Sequence, residues 1–312
     1  MKSLLSWFVI LVSITLLVSS CGEPEEESST ASTDSSTSSP GDSSDNSSTS
    51  CPEFTFNNNL HSSLPNEWVE QFKIIMVNLD KVTPVKTTSY FCSLDIYAWL
   101  DTTDKPFKDK IGNTGGTSIS GNKNGLFMVL EMPSSEFTYN SIHRYSVIPH
   151  EYFHVYQLSL SKNMYDGVFD IKWLMEGTAA TFESLYTQQY YSINYFKDAQ
   201  TRVNIAVMNN PNIFESYEKS RDEDRNYSSS VFMVLALVNE LKKLNLSEEK
   251  AFKLILNDFM NKNPTNGNWK NVFQEVFNIN LESFYQSLSS YTNDIDTVLP
   301  SESIKIENIF SN

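Results

Sequence analysis

The chain reads His150-Glu151-Tyr152-Phe153-His154 near its middle, so that two histidines lie four positions apart. In an α-helix this spacing puts both imidazoles on one face, one turn apart. Two nitrogens presented in this way can each bind one Zn²⁺ at roughly 2.0–2.1 Å. Glu151 projects within the same arc, about 100° around the helix from His150 and about 60° from His154. Two of the four histidines in the chain fall here, and we interpret the stretch as a metal site beside a carboxylate.

A third ligand is expected, because catalytic zinc sites generally combine three protein ligands with a water. The stretch Trp173-Leu174-Met175-Glu176-Gly177 opens a second predicted helix, on which Ala179 and Ala180 share a face with Glu176. Small side chains on that face would let the two helices approach, so that Glu176 reaches the metal. Glu183, two turns further on, is either a hydrogen-bond acceptor for the distal nitrogen of a ligand histidine or a solvated, structural carboxylate.

These residues resemble the gluzincins, zinc peptidases with a His-Glu-x-x-His helix and a glutamate ligand on a second helix. The resemblance is to the peptidase-MA-like branch, whose second helix reads Trp-x-x-Glu-Gly-x-Ala, and it covers residues 142–190. It implies that His150, His154 and Glu176 bind Zn²⁺. It also implies that Glu151 is the general base for a metal-activated water.

Three other residues of the first helix bear on this interpretation. Gln157, in the pattern His-x-x-Gln, also fits that branch. Pro149 departs from the pattern because proline removes a backbone donor. It is either a kink in a longer helix or the first-turn proline of the metal helix. His143, seven residues before His150, is interpreted as a surface or N-terminal-helix histidine.

The resemblance further implies a tyrosine or histidine that donates a hydrogen bond to the oxyanion of the tetrahedral intermediate. Tyr227 is the candidate, because it precedes the apolar run at 231–238 and would begin a helix behind the site. Tyr190 and Tyr191 are rivals. The chain has 15 tyrosines, so a core or surface role for any of these is the alternative.

The N-terminus predicts a bacterial lipoprotein. Residues 1–20 combine Lys2 with an apolar stretch too short for a stable membrane span, as in a signal peptide. The ending Val18-Ser19-Ser20-Cys21 resembles a lipobox, which implies a diacylglyceryl anchor on Cys21; an ordinary secretory signal is the alternative. Acidic residues directly after Cys21 resemble surface-export tags. We expect the protein in the cell envelope, anchored to the outer membrane or cell surface.

Residues 21–52 combine the lipidated cysteine with a predicted tether. From residue 22 onward the segment is dominated by Ser and Thr and lacks aromatic, Ile, Leu, Val and Met residues. It has nothing to bury and should stay disordered, with an end-to-end distance on the order of 30 Å. Cys51, at its end, is a candidate disulfide partner for Cys92 in an oxidising compartment. Two separate buried thiols are the alternative.

Residues 53–312 are predicted to form one α+β domain, which the resemblance implies is zincin-like, with a small mixed β-sheet and an active-site helix in about 53–165. A mostly helical lobe would follow at about 166–312. Helical periodicity marks Leu64–Leu79, and strand periodicity marks Ser89–Leu100 and Leu126–Leu130. Residues 115–125 are predicted to be a loop, and the resemblance implies that 126–132 form the edge strand that binds a peptide by strand addition. Further helices are predicted at 247–260, 269–277 and 281–291.

Charge and missing motifs exclude several function classes. The formal net charge of −15 argues against nucleic-acid binding, which needs a basic patch. The sequence has no glycine-rich phosphate loop and no convincing Gly-x-Ser-x-Gly nucleophile turn. The Gly-x-Met-Glu-Asn pattern of aminopeptidases is also missing, which favours an endopeptidase.

These features predict a membrane-anchored zinc metallopeptidase that acts on peptides or proteins; they do not determine the oligomeric state, and a monomer is assumed. Two plainer interpretations remain: a chance His-Glu-x-x-His helix without metal, and an enzyme-like fold that has lost activity. The alternative function is a non-catalytic surface lipoprotein that uses a zincin scaffold to bind protein or glycan. The metal interpretation is favoured by the downstream Glu-Gly-x-Ala pattern.

Overall fold

The computed structural model describes residues 53–122, 125–217 and 222–311. The predicted signal peptide at 1–20, the lipid site Cys21, the tether and Cys51 lie outside the described residues. Within the described ranges, no helix combines the length and the apolar character that crossing a membrane requires.

The described chain is a mixed α+β structure with one small mixed sheet. The four strands are β1 (Thr55–Leu60), β2 (Ser93–Leu100), β3 (Thr117–Asn122) and β4 (Gly125–Met132). Their order is β1-β2-β4-β3, in which β1, β2 and β4 are parallel and β3 is antiparallel to β4. The strands all precede residue 133, and the described chain after residue 166 contains only helices and loops.

The helices are grouped around three long ones. They are α1 (Asn66–Val82), α2 (Lys108–Ile111), α3 (Ser134–Thr138), α4 (His143–Leu160), α5 (Lys162–Tyr165), α6 (Lys172–Tyr191), α7 (Tyr195–Ala199), α8 (Ala206–Asn209), α9 (Glu223–Lys243), α10 (Glu248–Lys253), α11 (Phe259–Asn261), α12 (Trp269–Phe277), α13 (Leu281–Ser287) and α14 (Ile306–Phe310). A π-helical turn, Leu254–Asp258, joins α10 to α11, and a 3₁₀ turn, Pro211–Glu215, follows α8. The predicted helices at 247–260, 269–277 and 281–291 fall on these elements.

Both faces of the sheet are covered, which explains the apolar character of its central strands. Ile96 and Met128, a registered pair on β2 and β4, point toward the helices and join the main core. Trp99 and Val129 point the other way into a smaller cluster that includes Ile111 of α2. Because side chains alternate along a strand, one face of the sheet packs against the helices and the other packs into the smaller cluster.

The central helices α4 and α6 are buried on nearly all sides. α6 packs against both α4 and α9, and α4 is buried from Arg144 through Leu160. A helix in such a position needs no amphipathic stripe, because every face meets protein. Polar side chains on it are therefore the informative ones, since burying them is costly unless they have partners.

The structure corrects the predicted sheet edge. Residues 126–132 belong to β4, which lies between β2 and β3, so they do not form an edge. The edge on that side is β3, which falls within the segment 115–125 that was expected to be a loop. β3 reads Thr-Ser-Ile-Ser-Gly-Asn, and its small and polar residues give a weak strand signal.

The structure also decides between the two interpretations of Pro149. α4 begins at His143, so Pro149 lies in the helix interior and not in its first turn. Its ring leaves the carbonyl group of Tyr145 without the usual intrahelical donor. The local sequence alone did not show that the helix begins before Pro149, because burial and tertiary contacts stabilise the turn that precedes the proline.

Candidate metal centre

Three side chains from two neighbouring helices converge on one buried point. His150 and His154 lie one turn apart on α4, with ring centroids 5.0 Å apart. Glu176 approaches from the first turns of α6. Its Oε2 atom lies 3.7 Å from Nε2 of His150 and 3.2 Å from Nε2 of His154. The three residues are buried, and their ligand atoms lie within 4.8 Å of one another, so the group could hold a metal ion.

Glu183 fixes the tautomer of His150. Its Oε2 atom lies 3.1 Å from Nδ1 of His150, and its Oε1 atom accepts a hydrogen bond from the Ser146 hydroxyl at 2.7 Å. A carboxylate only accepts hydrogen bonds, so Nδ1 must carry the proton. The lone pair of the neutral ring is then on Nε2, which faces the convergence point. Glu183 is thus placed as the predicted acceptor for the distal nitrogen.

Gln157 fixes the tautomer of His154 in the same way. Its amide nitrogen donates to the carbonyl oxygen of Met175 at 3.1 Å and to Oγ1 of Thr178 at 2.7 Å. The amide oxygen therefore faces His154, where Oε1 lies 2.8 Å from Nδ1. Nδ1 must donate this bond, which leaves the Nε2 lone pair free. Gln157 also ties α4 to α6, since Met175 and Thr178 flank Glu176.

The inward-facing atoms fit a bound cation. Among the described residues, Nε2 of both histidines and Oε2 of Glu176 have no hydrogen-bond partner, although all three are buried. Three lone-pair atoms facing one another repel unless a positive charge lies between them. Two tetrahedral bonds of about 2.0–2.1 Å place their outer atoms roughly 3.3–3.4 Å apart, and the observed separations of 3.2 and 3.7 Å lie on either side of this value.

A proton is the competing source of that positive charge. Burial lowers the pKa of His150, but the carboxylates of Glu176 and Glu183 outweigh burial and raise it to about 10. The same separations are within ion-pair distance, so protonated imidazoles would also satisfy Glu176. With either a metal ion or a proton, the carboxylates of Glu151, Glu176 and Glu183 stabilise a positive charge at this point.

Glu151 has the burial and the free atoms expected of a general base. It is fully buried, and neither carboxylate oxygen has a hydrogen-bond partner among the described side chains and backbone. Burial is the main cause that raises the pKa of Glu151 to about 7. A carboxylate with a pKa near the working pH transfers protons effectively in both directions.

Tyr227 is the tyrosine that the structure brings to the site. Its ring centroid lies 5.9 Å from that of His150. Burial, followed by the negative charge of Glu176, raises the pKa of Tyr227 well above its usual value of 10.0, so the phenol keeps its proton. The rivals are elsewhere: Tyr190 donates to Glu307 and Tyr191 stacks on Tyr145. Both lie roughly 20 Å along α6 from Glu176.

Gly177 lets α9 approach closely enough for this arrangement. A Cβ atom at position 177 would lie 2.8 Å from the carbonyl oxygen of Ser230, a distance at which backbone would have to move. Glu176 directly precedes this contact on α6, and Tyr227 lies one turn before it on α9. The glycine of the Glu-Gly pair therefore serves the packing of α6 against α9.

Tyr217 is a neighbour of the site that sequence reasoning missed. Its φ of 60° is in the left-handed region, which is uncommon for a bulky residue. Its hydroxyl lies 2.7 Å from Oγ of Ser230, and its ring lies 6.4 Å from that of Tyr227. Upstream, Glu215 accepts a hydrogen bond from Tyr285. These contacts reach residues 10 to 70 positions away in the chain, so no local pattern reveals them.

His143 and Cys92 lie outside the metal centre. His143 is the first residue of α4, and its Nδ1 atom lies 2.5 Å from Oε1 of Glu136. This agrees with its interpretation as a helix-terminal histidine. Cys92 is disulfide-bonded. The chain's other cysteines, Cys21 and Cys51, lie outside the described residues, so the Cys51–Cys92 pairing stays a prediction.

A cleft of about 340 Å³ opens beside His154. Its walls come from the end of β3, the beginning of β4, the C-terminal half of α4 and the segment 164–170. Because β3 is an edge strand, the cleft is lined both by His154 of the candidate site and by the edge of the sheet.

Comparisons of this chain with protein-family models, curated protein sequences and solved structures return no match.

Proposed function

We propose that this chain is a zinc metallopeptidase of the gluzincin type, with a zincin-like fold and a lipid anchor at Cys21. The observation that carries the proposal is the pair of fixed imidazole tautomers. Glu183 and Gln157 hold both Nδ1–H groups, so that both Nε2 lone pairs face Oε2 of Glu176. Two imidazole nitrogens and one carboxylate are a ligand set typical of catalytic zinc.

The proposed chemistry divides between the metal and the chain. When bound, zinc supplies Lewis-acid polarisation of the scissile carbonyl and lowers the pKa of a water ligand. Glu151 takes the proton of the attacking water and passes it to the leaving amine. Its burial and its pKa of about 7 suit both transfers. Tyr227, which keeps its phenolic proton, donates a hydrogen bond to the developing oxyanion.

The site geometry favours a peptide as the substrate. The cleft beside His154 is bordered by the edge strand β3. An extended peptide could add to this edge through backbone hydrogen bonds. Strand addition at β3 takes the place of the addition that the sequence predicted at residues 126–132. A cleft open along a strand edge also suits an endopeptidase, because the bound chain is free to continue past both ends.

A non-catalytic binding protein on the same scaffold is the competing function. It would require the metal ligands but not Glu151. The complete burial of the Glu151 carboxylate without a hydrogen-bond partner is costly, and a binding scaffold gains nothing from it. This observation favours the enzyme.

The test compares Glu151→Gln with the wild-type full chain on a mixed peptide library. We expect about one zinc per wild-type chain and cleavage that a chelator abolishes. The variant should bind zinc equally well but lose about 10²- to 10⁴-fold in kcat/KM. Glu275→Gln, at an exposed carboxylate paired with Lys262, is the matched control and should keep full activity. Zinc-loaded protein that cleaves nothing, or a Glu151→Gln protein of normal activity, would contradict the proposal.

A further inference from the structure

Most of the surface that lines the cleft beside His154 is apolar. Its apolar side chains come from β3, β4, α4, the segment 164–170 and α6, and they surround the space next to His154. They are Ile119, Leu126, Leu158, Met164, Phe169 and Met175. An occupant that desolvates this surface must itself be apolar, because a polar group would lose its water without gaining partners.

The charged residues of the cleft do not select a charged occupant. Asp166 and Asp170 lie at its rim. Asp166 is paired with Lys162, and Asp170 lies 2.8 Å from the ammonium group of Lys172. Each carboxylate is thus matched by a lysine, and the rim offers no uncompensated charge to a basic or acidic side chain.

Gly121 and Leu126 set the width of the cleft at the sheet. They form a registered pair across β3 and β4, on the face that meets the helices. A Cβ atom at Gly121 would lie 2.9 Å from Cδ2 of Leu126. Because residue 121 has no side chain, the tip of Leu126 fits beside it and the cleft in front of Leu126 stays open.

We propose that this cleft is a specificity pocket for one bulky apolar side chain of the peptide substrate, next to the scissile bond. The inference rests on the proposed peptidase function and extends it to a substrate class. The volume of about 340 Å³ is at the low end for ligand pockets and suits one large side chain. Because His154 lines the cleft, a side chain bound there would lie beside a candidate metal ligand and so near the scissile bond.

The first test measures which substrate side chain the zinc-loaded full chain prefers beside the cleaved bond. A mixed peptide library read by mass spectrometry identifies the cleaved bond. Peptides of one sequence then carry phenylalanine, leucine, alanine, lysine or aspartate at each position flanking it. We expect one flanking position at which phenylalanine or leucine exceeds alanine by about 10- to 100-fold in kcat/KM. Lysine and aspartate should fall below alanine there.

The second test narrows the pocket with Gly121→Ala. Gly121 does not have a positive φ, so an alanine is accommodated there without backbone strain. The added methyl must displace the tip of Leu126. We expect the ratio of kcat/KM for the phenylalanine peptide to kcat/KM for the alanine peptide to fall at least about 10-fold, while kcat/KM for the alanine peptide changes little. The matched control is Gly267→Ala, where the new Cβ meets only Thr265 at 3.7 Å and the ratio should not change.

A binding measurement separates failure of the pocket from failure of the peptidase. Full chain carrying Glu151→Gln is titrated calorimetrically with the phenylalanine and alanine peptides, with and without Gly121→Ala. Tighter binding of the phenylalanine peptide that Gly121→Ala removes supports the pocket, even if the wild-type protein cleaves nothing and the peptidase function fails. Cleavage that depends on Glu151 but shows no apolar preference, or a ratio unaffected by Gly121→Ala, overturns the pocket alone.

Discussion

Gln157 orients His154 through a hydrogen bond of 2.8 Å between Oε1 and Nδ1. The amide cannot rotate, because its nitrogen is held by the Met175 carbonyl and the Thr178 hydroxyl. One uncharged side chain thus sets the direction of a candidate metal ligand and joins the two helices that carry the site. Partners of this kind contribute to metal affinity because they fix the ring before the metal arrives.

Replacement of Gln157 by leucine should weaken metal binding more than it alters the fold. We expect zinc affinity to fall about 10- to 100-fold, because His154 loses its fixed tautomer. The free energy of unfolding should fall by about 1–3 kcal/mol, because the buried Nδ1–H group of His154 loses its acceptor. Competition with a fluorescent chelator measures the affinity. Gln274→Leu, at an exposed position of α12, is the control, and equal affinities for both variants would contradict the role of Gln157.

Gly177→Ala should separate α6 from α9. The new Cβ would meet the backbone of Ser230 at 2.8 Å, and backbone cannot yield as a flexible side chain does. We expect a loss of about 1–3 kcal/mol in the free energy of unfolding, measured by chemical denaturation. Gly267→Ala should stay within about 0.5 kcal/mol of wild type. If Gly177→Ala is equally mild, the close helix contact is not required.

Tyr227→Phe should remove transition-state stabilisation while leaving the metal in place. Its ring lies 5.9 Å from that of His150 and its hydroxyl interacts with Glu176, but it is not one of the proposed ligands. We expect kcat to fall about 10²- to 10³-fold, with KM and zinc content near wild type. Tyr191→Phe, at a ring that stacks on Tyr145 far along α6, should have no effect. Equal kinetics for the two variants would remove Tyr227 from the mechanism.

Zinc should stabilise the folded chain, because the site forms only when α4 and α6 are packed. At a free zinc concentration of 100 times Kd, the gain is about 2.7 kcal/mol, which a chelator should reverse. His154→Ala should abolish this gain by removing one of three ligands. His61→Ala, at a histidine that contacts Ser63 instead, should keep it. Thermal denaturation with and without zinc measures both, and a zinc shift that survives in His154→Ala would argue for binding elsewhere.

The parts of the site that follow from helical periodicity were predictable from the sequence. His150, His154 and Glu151 share one arc because residues three and four apart share a helix face. The same period placed Glu176 and Glu183 on one side of α6. These relations depend on local geometry, and the structure places all of these side chains where the period requires.

The parts that depend on contacts between distant segments were not predictable. The sheet order could not be read from β3, whose small polar residues give little strand signal. Gly177 was not recognised as a contact residue, because its partner Ser230 lies on a third helix. Tyr217 has a left-handed backbone and a hydrogen bond to Ser230. Neither feature has a signature in the neighbouring residues.

The nearness of the ligands along the chain has a consequence for the order of folding. His150 and Glu183, the outermost residues that fix the centre, belong to consecutive long helices joined by a short connection. Their meeting closes a short loop, which costs little entropy and is fast. The helix pair should therefore capture zinc before Tyr227 arrives from further along the chain. Stopped-flow refolding would test this order. As the chain takes zinc from a reporter dye, the dye signal should change before the final change in tyrosine fluorescence.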